Sequence, residues 1–217
     1  MNRRKMIVLA AAAAAACLFA GGAVIYSRQV NDPANLPVAN ENSPLIRPHS
    51  PILGPTTARV TIVEFFDPSC ESCRAFYPFV KRIMADNPEH VRVVLRYTPF
   101  HPSSEEAVKI LEAARKQDKF LVVLEALLDR QQEWGADNAP NAPRAWGIAG
   151  DVGLDLDRAI RDGASEEVKF VLAQDVADVQ AMQIKGTPTF FVNGKRLTSF
   201  GPDQLAELVK NEVMVLD

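Results

Sequence analysis

The sequence predicts an α/β domain in which a strand, a helix and a second strand lead into a long helical block, a hairpin and a closing helix. Three observations carry this prediction. The run Val60-Thr61-Ile62-Val63-Glu64-Phe65-Phe66 reads as a strand and leads straight into Cys70-Glu71-Ser72-Cys73, two thiols one helical turn apart. Residues 91–97 form a second strand-like run rich in β-branched side chains. Asn193-Gly194 is a strong two-residue hairpin turn between 189–192 and 195–198.

In chain order, the first strand should cover 59–66 and stop at Asp67-Pro68. The helix that starts near Cys70 should run to about Asp86, with Phe76, Val80, Ile83 and Met84 on its buried side. Pro78 sits inside it and should bend it. Past the second strand, Ser103 and Glu106 have the spacing of a capping box for a helix carrying Ala107, Val108, Leu111 and Ala114. Phe120, Val123, Leu124, Leu127 and Leu128 recur at helical spacing in the next one. Between Gly135 and Gly153 the pattern turns irregular, with Pro140, Pro143 and Trp146. Helices are expected again over 155–162 and over 165–183, the second with Val168, Leu172, Val179 and Met182 inward. A final helix over 203–213 should bury Leu205, Leu208 and Val209.

The 217 residues suffice for one sizeable domain plus extras, and 47% hydrophobic with 24% charged content is ordinary for a globular protein. The start of the chain departs from that average. Arg3, Arg4 and Lys5 precede a nearly unbroken apolar run from Met6 to Tyr26, long enough to span a bilayer. The basic flank should stay cytoplasmic, so the remainder is expected on the outer side of the membrane. Two readings of 1–26 compete. A cleaved signal peptide could exit at Ala20-Gly21-Gly22-Ala23, while an uncleaved anchor fits the full length better, since Val24, Ile25 and Tyr26 continue the run. Cys17 lies inside it as an apolar filler, and Ala14-Ala15-Ala16 lacks the leucine-like residue that lipid attachment needs.

Residues 27–55 show no periodicity and carry Pro33, Pro37, Pro44, Pro48, Pro51 and Pro55, the composition of an extended linker. For its later half, Pro51-Ile52-Leu53-Gly54-Pro55, the alternative is an arm packed along the domain, which itself is expected over 56–217. Removing the four basic residues of 1–30 from the 24 in the chain leaves 20 against 27 acidic groups, a formal −7. That argues against nucleic-acid binding, which needs a basic face.

The chemistry concentrates in the thiols. With Cys17 in the leader, Cys70 and Cys73 can pair only with each other or with another molecule. So small a ring constrains little of the unfolded chain, which points to reactivity rather than to a staple. A cysteine at a helix N-terminus meets unpaired N–H groups and the positive end of the helix dipole, both of which favour thiolate. Cys70 is therefore the expected nucleophile and Cys73 the resolving thiol. A zinc site would need two more ligands, and His49, His90, His101 and the carboxylates show no paired spacing. Each histidine reads as an ordinary surface or loop residue. Downstream, Gly186-Thr187-Pro188-Thr189-Phe190-Phe191-Val192 places a proline at the entrance of a strand.

Strand, Cys70-Glu71-Ser72-Cys73, helix, and this later proline together resemble the thioredoxin superfamily. Within it the chain is similar to exported DsbA-like thiol–disulfide oxidoreductases. The similarity rests on Ser50-Pro51-Ile52-Leu53-Gly54-Pro55, on Glu64-Phe65-Phe66-Asp67-Pro68-Ser69-Cys70, on Thr98-Pro99-Phe100-His101-Pro102 and on the long helical segment, and it covers about residues 50 to 213. The resemblance implies a thioredoxin-like fold with a helical insertion at about 102–184, between the second strand and the cis-proline strand. It implies that Pro188 is cis beside the thiols, and that Thr187-Pro188 offers backbone groups to an extended substrate peptide. Glu64 matches the buried acid of the superfamily, which could relay protons to Cys73; the alternative is an outward-pointing strand residue. Pro78 resembles the helix-kinking proline. One departure stands out: strong oxidants of the family carry proline and histidine between the cysteines, where this chain has Glu71 and Ser72. A negative neighbour disfavours the thiolate, so a weaker oxidant is expected.

These readings converge on an exported, membrane-tethered enzyme exchanging disulfides with protein thiols through Cys70 and Cys73, as an oxidase, with a membrane redox partner and no metal or organic cofactor. The alternatives are a reductase, or a non-catalytic metal-binding or chaperone-like module on the same fold. An isomerase would need a dimerisation domain, and residues 27–58 look too unstructured for one.

Overall fold

The structure is a computed structural model and describes residues 43–215. The leader over 1–26, with Cys17, and the part of the linker over 27–42 lie outside the described residues. Five strands form one sheet in the order β1-β3-β2-β4-β5. β2 (Val60–Phe66) runs parallel to β3 (Val91–Tyr97), with Val60 beside Val91 and Phe66 beside Tyr97. A parallel pair needs a crossover, and α1 (Glu71–Asp86) supplies it. β1 (Ile52–Leu53) is antiparallel to β3 on one edge. β4 (Thr189–Val192) is antiparallel to β2, and β5 (Lys195–Arg196) closes the other edge.

All seven residues of β2 are buried, as expected of a central strand covered on both faces. The alternation of side chains divides them. Val60, Ile62 and Phe66 share a core with Phe76, Val80 and Ile83 of α1 and with Leu205 and Val209 of α7 (Pro202–Met214). Val63 and Phe65 join Val94, Val179, Ile184 and Phe191 in a second cluster on the opposite face. Burying a Val, Ile or Phe side chain this fully contributes about 1.5–3 kcal/mol each.

Between β3 and β4 lie α2 (Ser104–Arg115), α3 (Phe120–Asp129), a 3-10 turn (Gln131–Glu133), α4 (Ala142–Asp151), α5 (Leu156–Gly163) and α6 (Glu166–Ala181). α2 is the centre of this block: Ala107, Val108, Ile110, Leu111, Ala113 and Ala114 are all fully buried. Trp134 is buried in the same core, its indole Nε1–H donating to the Leu127 carbonyl at 2.9 Å.

Four local expectations change. The Ser103–Glu106 capping box does not form, because Ser103 is itself helical in conformation and its hydroxyl donates to the Trp134 carbonyl. Glu106 is occupied elsewhere, accepting from Lys109 and from the Trp146 indole. The irregular stretch after Gly135 contains α4: Asn141 caps it by accepting from the Arg144 N–H at 3.1 Å, and Pro143 sits in its first turn, where no N–H is missed. The second hairpin strand shrinks to two exposed residues after the turn, where Asn193 and Gly194 both take positive φ, 47° and 81°.

The fourth concerns residues 43–55, which lie on the domain as an arm. Ile52 and Leu53 pair with Val94 and Val93 of β3, and Leu45 and Ile46 pack against the second core cluster. Gly54 takes φ +95°, and a Cβ there would meet the Val91 carbonyl at 3.0 Å, so the turn off the sheet edge requires glycine.

Candidate active site

Cys70 is the N-cap residue of α1, and Cys73 lies one turn inside it. The sulfurs are free thiols. Accessibility separates the two thiols little, since Cys70 is only 7% exposed and Cys73 0%. The larger asymmetry is electronic. Cys70 is held down at about 5, chiefly by a hydrogen bond from the Cys73 thiol, helped by the backbone N–H groups of Cys73 and Ser72, against the opposing effect of burial. Cys73 is pushed well above the ordinary thiol range by burial, by donating to Cys70 and by the charge of Glu64. The Asp67 N–H reaches Cys73 Sγ at 3.5 Å.

Glu64 sits on the face of β2 that carries Val60, Ile62 and Phe66, two residues from the strand's end. At 2% exposure it is not an outward-pointing strand residue. Burial raises its carboxyl to about 8, with a smaller contribution from the charge of Cys70. Two acids that hold their protons more tightly than usual and one that gives its proton up more readily thus share one site: a thiolate at Cys70 beside protonated Cys73 and Glu64.

The Thr187–Pro188 peptide is cis, and the Thr187 carbonyl oxygen lies 3.3 Å from Cys70 Sγ. Pro188 is buried at the entrance of β4, while Thr187 remains half-buried. The structure therefore brings together Cys70, Cys73, Glu64, Thr187 and Pro188. Glu71 stands apart. Its side chain is 80% exposed and accepts from Arg74 Nη2 at 3.0 Å, so its charge faces solvent and a cation rather than the sulfur.

Three further residues shape the site: Asp67 and Gln131, which carry no assigned role in the sequence, and His101, which reads as an ordinary loop residue there but is tied to a buried carboxylate beside Cys70. Asp67, fully buried at the end of β2, accepts from the N–H of Ser69 at 2.8 Å and from the Ser104 hydroxyl with Oδ1. Its Oδ2 accepts from the Phe100 N–H at 2.8 Å and meets His101 Nδ1 at 2.7 Å. Because β2 and β3 are parallel and in register, the loops leaving Phe66 and Tyr97 emerge at the same end, which is what lets one carboxylate serve both. Gln131, from the helical block, donates with Nε2 to the carbonyls of Pro68 at 2.7 Å and Cys70 at 3.1 Å, fixing the turn that carries the outer sulfur. A groove of about 430 Å³ runs beside Cys70, lined by Ser72, His101, Gln131, Ala136 and Asp137 among others. The signal for Asp67 was an acid ending a buried strand just before the thiols; His101 and Gln131 carried no local signal. Among the described residues no group of three or more His, Cys, Asp or Glu side chains is gathered for a metal ion, and no helix among them is long and apolar enough to cross a membrane.

Comparison with known proteins agrees with this architecture. A thioredoxin-like oxidoreductase from Silicibacter pomeroyi DSS-3 superimposes with a TM-score of 0.70 at 32% identity, covering 81% of this chain and 99% of that one. Oxidised BdbD from Bacillus subtilis gives 0.63 at 26% identity, covering 76% and 93%. The fold is that of DsbA-like thiol–disulfide oxidoreductases. Among curated proteins, a Na(+)/H(+) antiporter NhaA 3 from Salinispora tropica is 36% identical over 149 residues, 67% of this chain. The chain spans 22% of that antiporter's length. The family model described as thioredoxin matches residues 47–211, and with the thiol pair at the head of α1 and the cis proline against it, the chain belongs to the thioredoxin family.

Proposed function

We propose that the protein is a disulfide-forming enzyme acting on other proteins on the outer side of a membrane. The enzyme class, protein thiol–disulfide oxidoreductase, accords with the fold it shares with its neighbours. The direction rests on one observation: Cys70 at about 5 lies on the acidic side of thioredoxin (about 7) and toward DsbA (about 3.5). A stabilised thiolate stabilises the reduced form and makes the disulfide the stronger oxidant.

In the forward reaction a substrate thiolate attacks Cys70 Sγ of the Cys70–Cys73 disulfide. The S–S electron pair passes to Cys73 Sγ, which takes a proton, and we assign its delivery to Glu64, the buried acid whose charge acts on Cys73. A second substrate thiolate then attacks the substrate sulfur of the mixed disulfide and expels Cys70 as thiolate. The substrate gains a disulfide, the enzyme gains two electrons, and the solvent balances the remaining proton. The half-buried Thr187, whose carbonyl lies beside Cys70 Sγ, supports pairing with the backbone of an extended substrate there.

Export and tethering are supported by the basic-then-apolar pattern of residues 1–26. A redox partner at the membrane would return the dithiol to the disulfide. The decisive measurement is the equilibrium with a glutathione buffer. A potential near or above about −150 mV supports the oxidase, and one near −270 mV makes the protein a reductase. Cys70→Ser should abolish disulfide formation in a reduced two-cysteine client; undiminished turnover would overturn the assignment.

A further inference from the structure

The residues between the cysteines, Glu71 and Ser72, offer the Cys70 sulfur no cation. We propose that His101 supplies one from the loop after β3, and that the His101 ring and the Cys70 sulfur form a linked pair in which the charge of the ring follows the redox state of the site. This rests on the thiol–disulfide function proposed above and names a further residue that tunes it.

The geometry begins at Asp67. Its Oδ2 meets His101 Nδ1 at 2.7 Å and accepts from the His101 N–H at 3.3 Å, while its backbone carbonyl accepts from the Cys70 N–H at 3.1 Å. One buried residue therefore positions both the ring and the sulfur. Asp67 is 0% exposed and the His101 ring 26%, so the ring bridges from a buried carboxylate to the groove it shares with Cys70. With Nδ1 on Asp67, Nε2 is the nitrogen with no hydrogen-bonding partner among the described residues.

The charges around the ring favour its cationic form. Asp67 reaches it from the end of β2, Asp137 from the loop after the 3-10 turn, and Cys70 from the head of α1. Glu71 and Arg74, also on α1, line the groove but pair with each other. Burial alone would lower the imidazole; the hydrogen bond and charge of Asp67, with Asp137 and Cys70, outweigh it and leave His101 raised. Coupling between two sites is reciprocal. If the Cys70 thiolate holds a proton on His101, the imidazolium holds Cys70 ionised to the same degree.

The redox consequence balances. A substrate dithiol delivers two electrons to the disulfide, leaving Cys70 as thiolate and Cys73 as thiol with one proton. The new negative charge at Cys70 draws a further, fractional proton onto His101. Oxidation reverses both: the thiolate charge disappears into the S–S bond, and His101 sheds that fraction.

The test follows the ring of His101 by NMR across pH in the full domain, in the dithiol and disulfide forms. The midpoint should be higher in the dithiol form. In His101→Gln, the ultraviolet thiolate midpoint of Cys70 should move up, and the equilibrium constant for forming the Cys70–Cys73 disulfide against glutathione should rise about threefold or more. Equal ring midpoints in the two redox forms, or a Cys70 midpoint unmoved by His101→Gln, overturns the inference while the enzyme remains redox-active. Should that variant fail to fold, the ring titration of the unsubstituted protein decides by itself. If the unsubstituted pair never forms a disulfide in glutathione, the underlying oxidoreductase reading fails instead, and the inference with it.

Discussion

Glu64 is buried on the α1 face of β2 with its carboxyl raised to about 8, and Cys70 is lowered to about 5. These two groups act on stability with opposite signs. Glu64 keeps a proton in the folded state that the unfolded chain releases above 4.5, so its contribution is complete below that pH and is lost as pH rises through 8. Cys70 stays ionised in the folded state where the unfolded thiol would be protonated, so its contribution is present above 9 and is lost as pH falls through 5. In the dithiol form the two slopes oppose each other between 5 and 8. The disulfide form keeps only that of Glu64, whose shift is caused first by burial. Urea denaturation of the disulfide form should therefore lose on the order of a few kcal/mol from pH 5 to 8, while the dithiol form stays nearly level. Glu64→Gln should flatten the disulfide curve, and parallel declines in both redox forms would contradict the assignment. The same substitution should slow release of a mixed disulfide about tenfold or more, measured by stopped-flow with a fluorescent client.

At the scale of elements, the helix ends show where sequence reading worked. β3 and β4 match their expected spans, and α1 begins one residue after the cysteine predicted to head it, because period and turn chemistry are local properties. α4 was missed because Pro140 and Pro143 look like breakers, although Pro143 occupies a first turn where proline is tolerated. Asn141→Ala should cost about 1 kcal/mol by thermal or denaturant melting, through loss of the cap to Arg144. The Ser103–Glu106 spacing misled for a different reason: both side chains found tertiary partners in Trp134 and Trp146. Gln131 was unreadable, since its two acceptors, Pro68 and Cys70, are over sixty residues away in sequence. Gln131→Leu should leave the Pro68 carbonyl without this donor, while the Cys70 carbonyl keeps the Arg74 N–H at 3.1 Å, costing about 1–3 kcal/mol and loosening the turn under Cys70. Its Cys70 titration should broaden or shift; an unchanged midpoint and stability would show the contact to be idle.

For the molecule as a whole, the organising charge is Arg96, fully buried on β3. Its guanidinium donates to Asp175 at 2.7 Å and Asp178 at 2.6 Å on α6, and to the Pro44 carbonyl on the arm. Asp175 also accepts from the Tyr97 N–H at 2.8 Å and meets His49 Nε2 at 2.8 Å, and Asp178 accepts from Arg47. Arg115 adds a bond to the His49 carbonyl. None of this was legible, because the partners of Asp175 and Asp178 come from β3 and the arm, and His49, which reads as a surface or loop residue, meets a fully buried carboxylate. Arg96→Leu leaves Asp175 buried beside fewer cations and should cost about 3–5 kcal/mol. Arg47→Ala, which spares the centre of the network, should cost less and should open residues 43–55 to limited proteolysis while the rest of the domain resists. Tension applied to the chain at residue 43 would meet the Arg47–Asp178 pair and then the Ile52–Leu53 ladder before it reached β2, whose far end leads to the thiols. The arm is thus a mechanical fuse: it yields first, and the electron-exchanging end of the sheet keeps its shape under load.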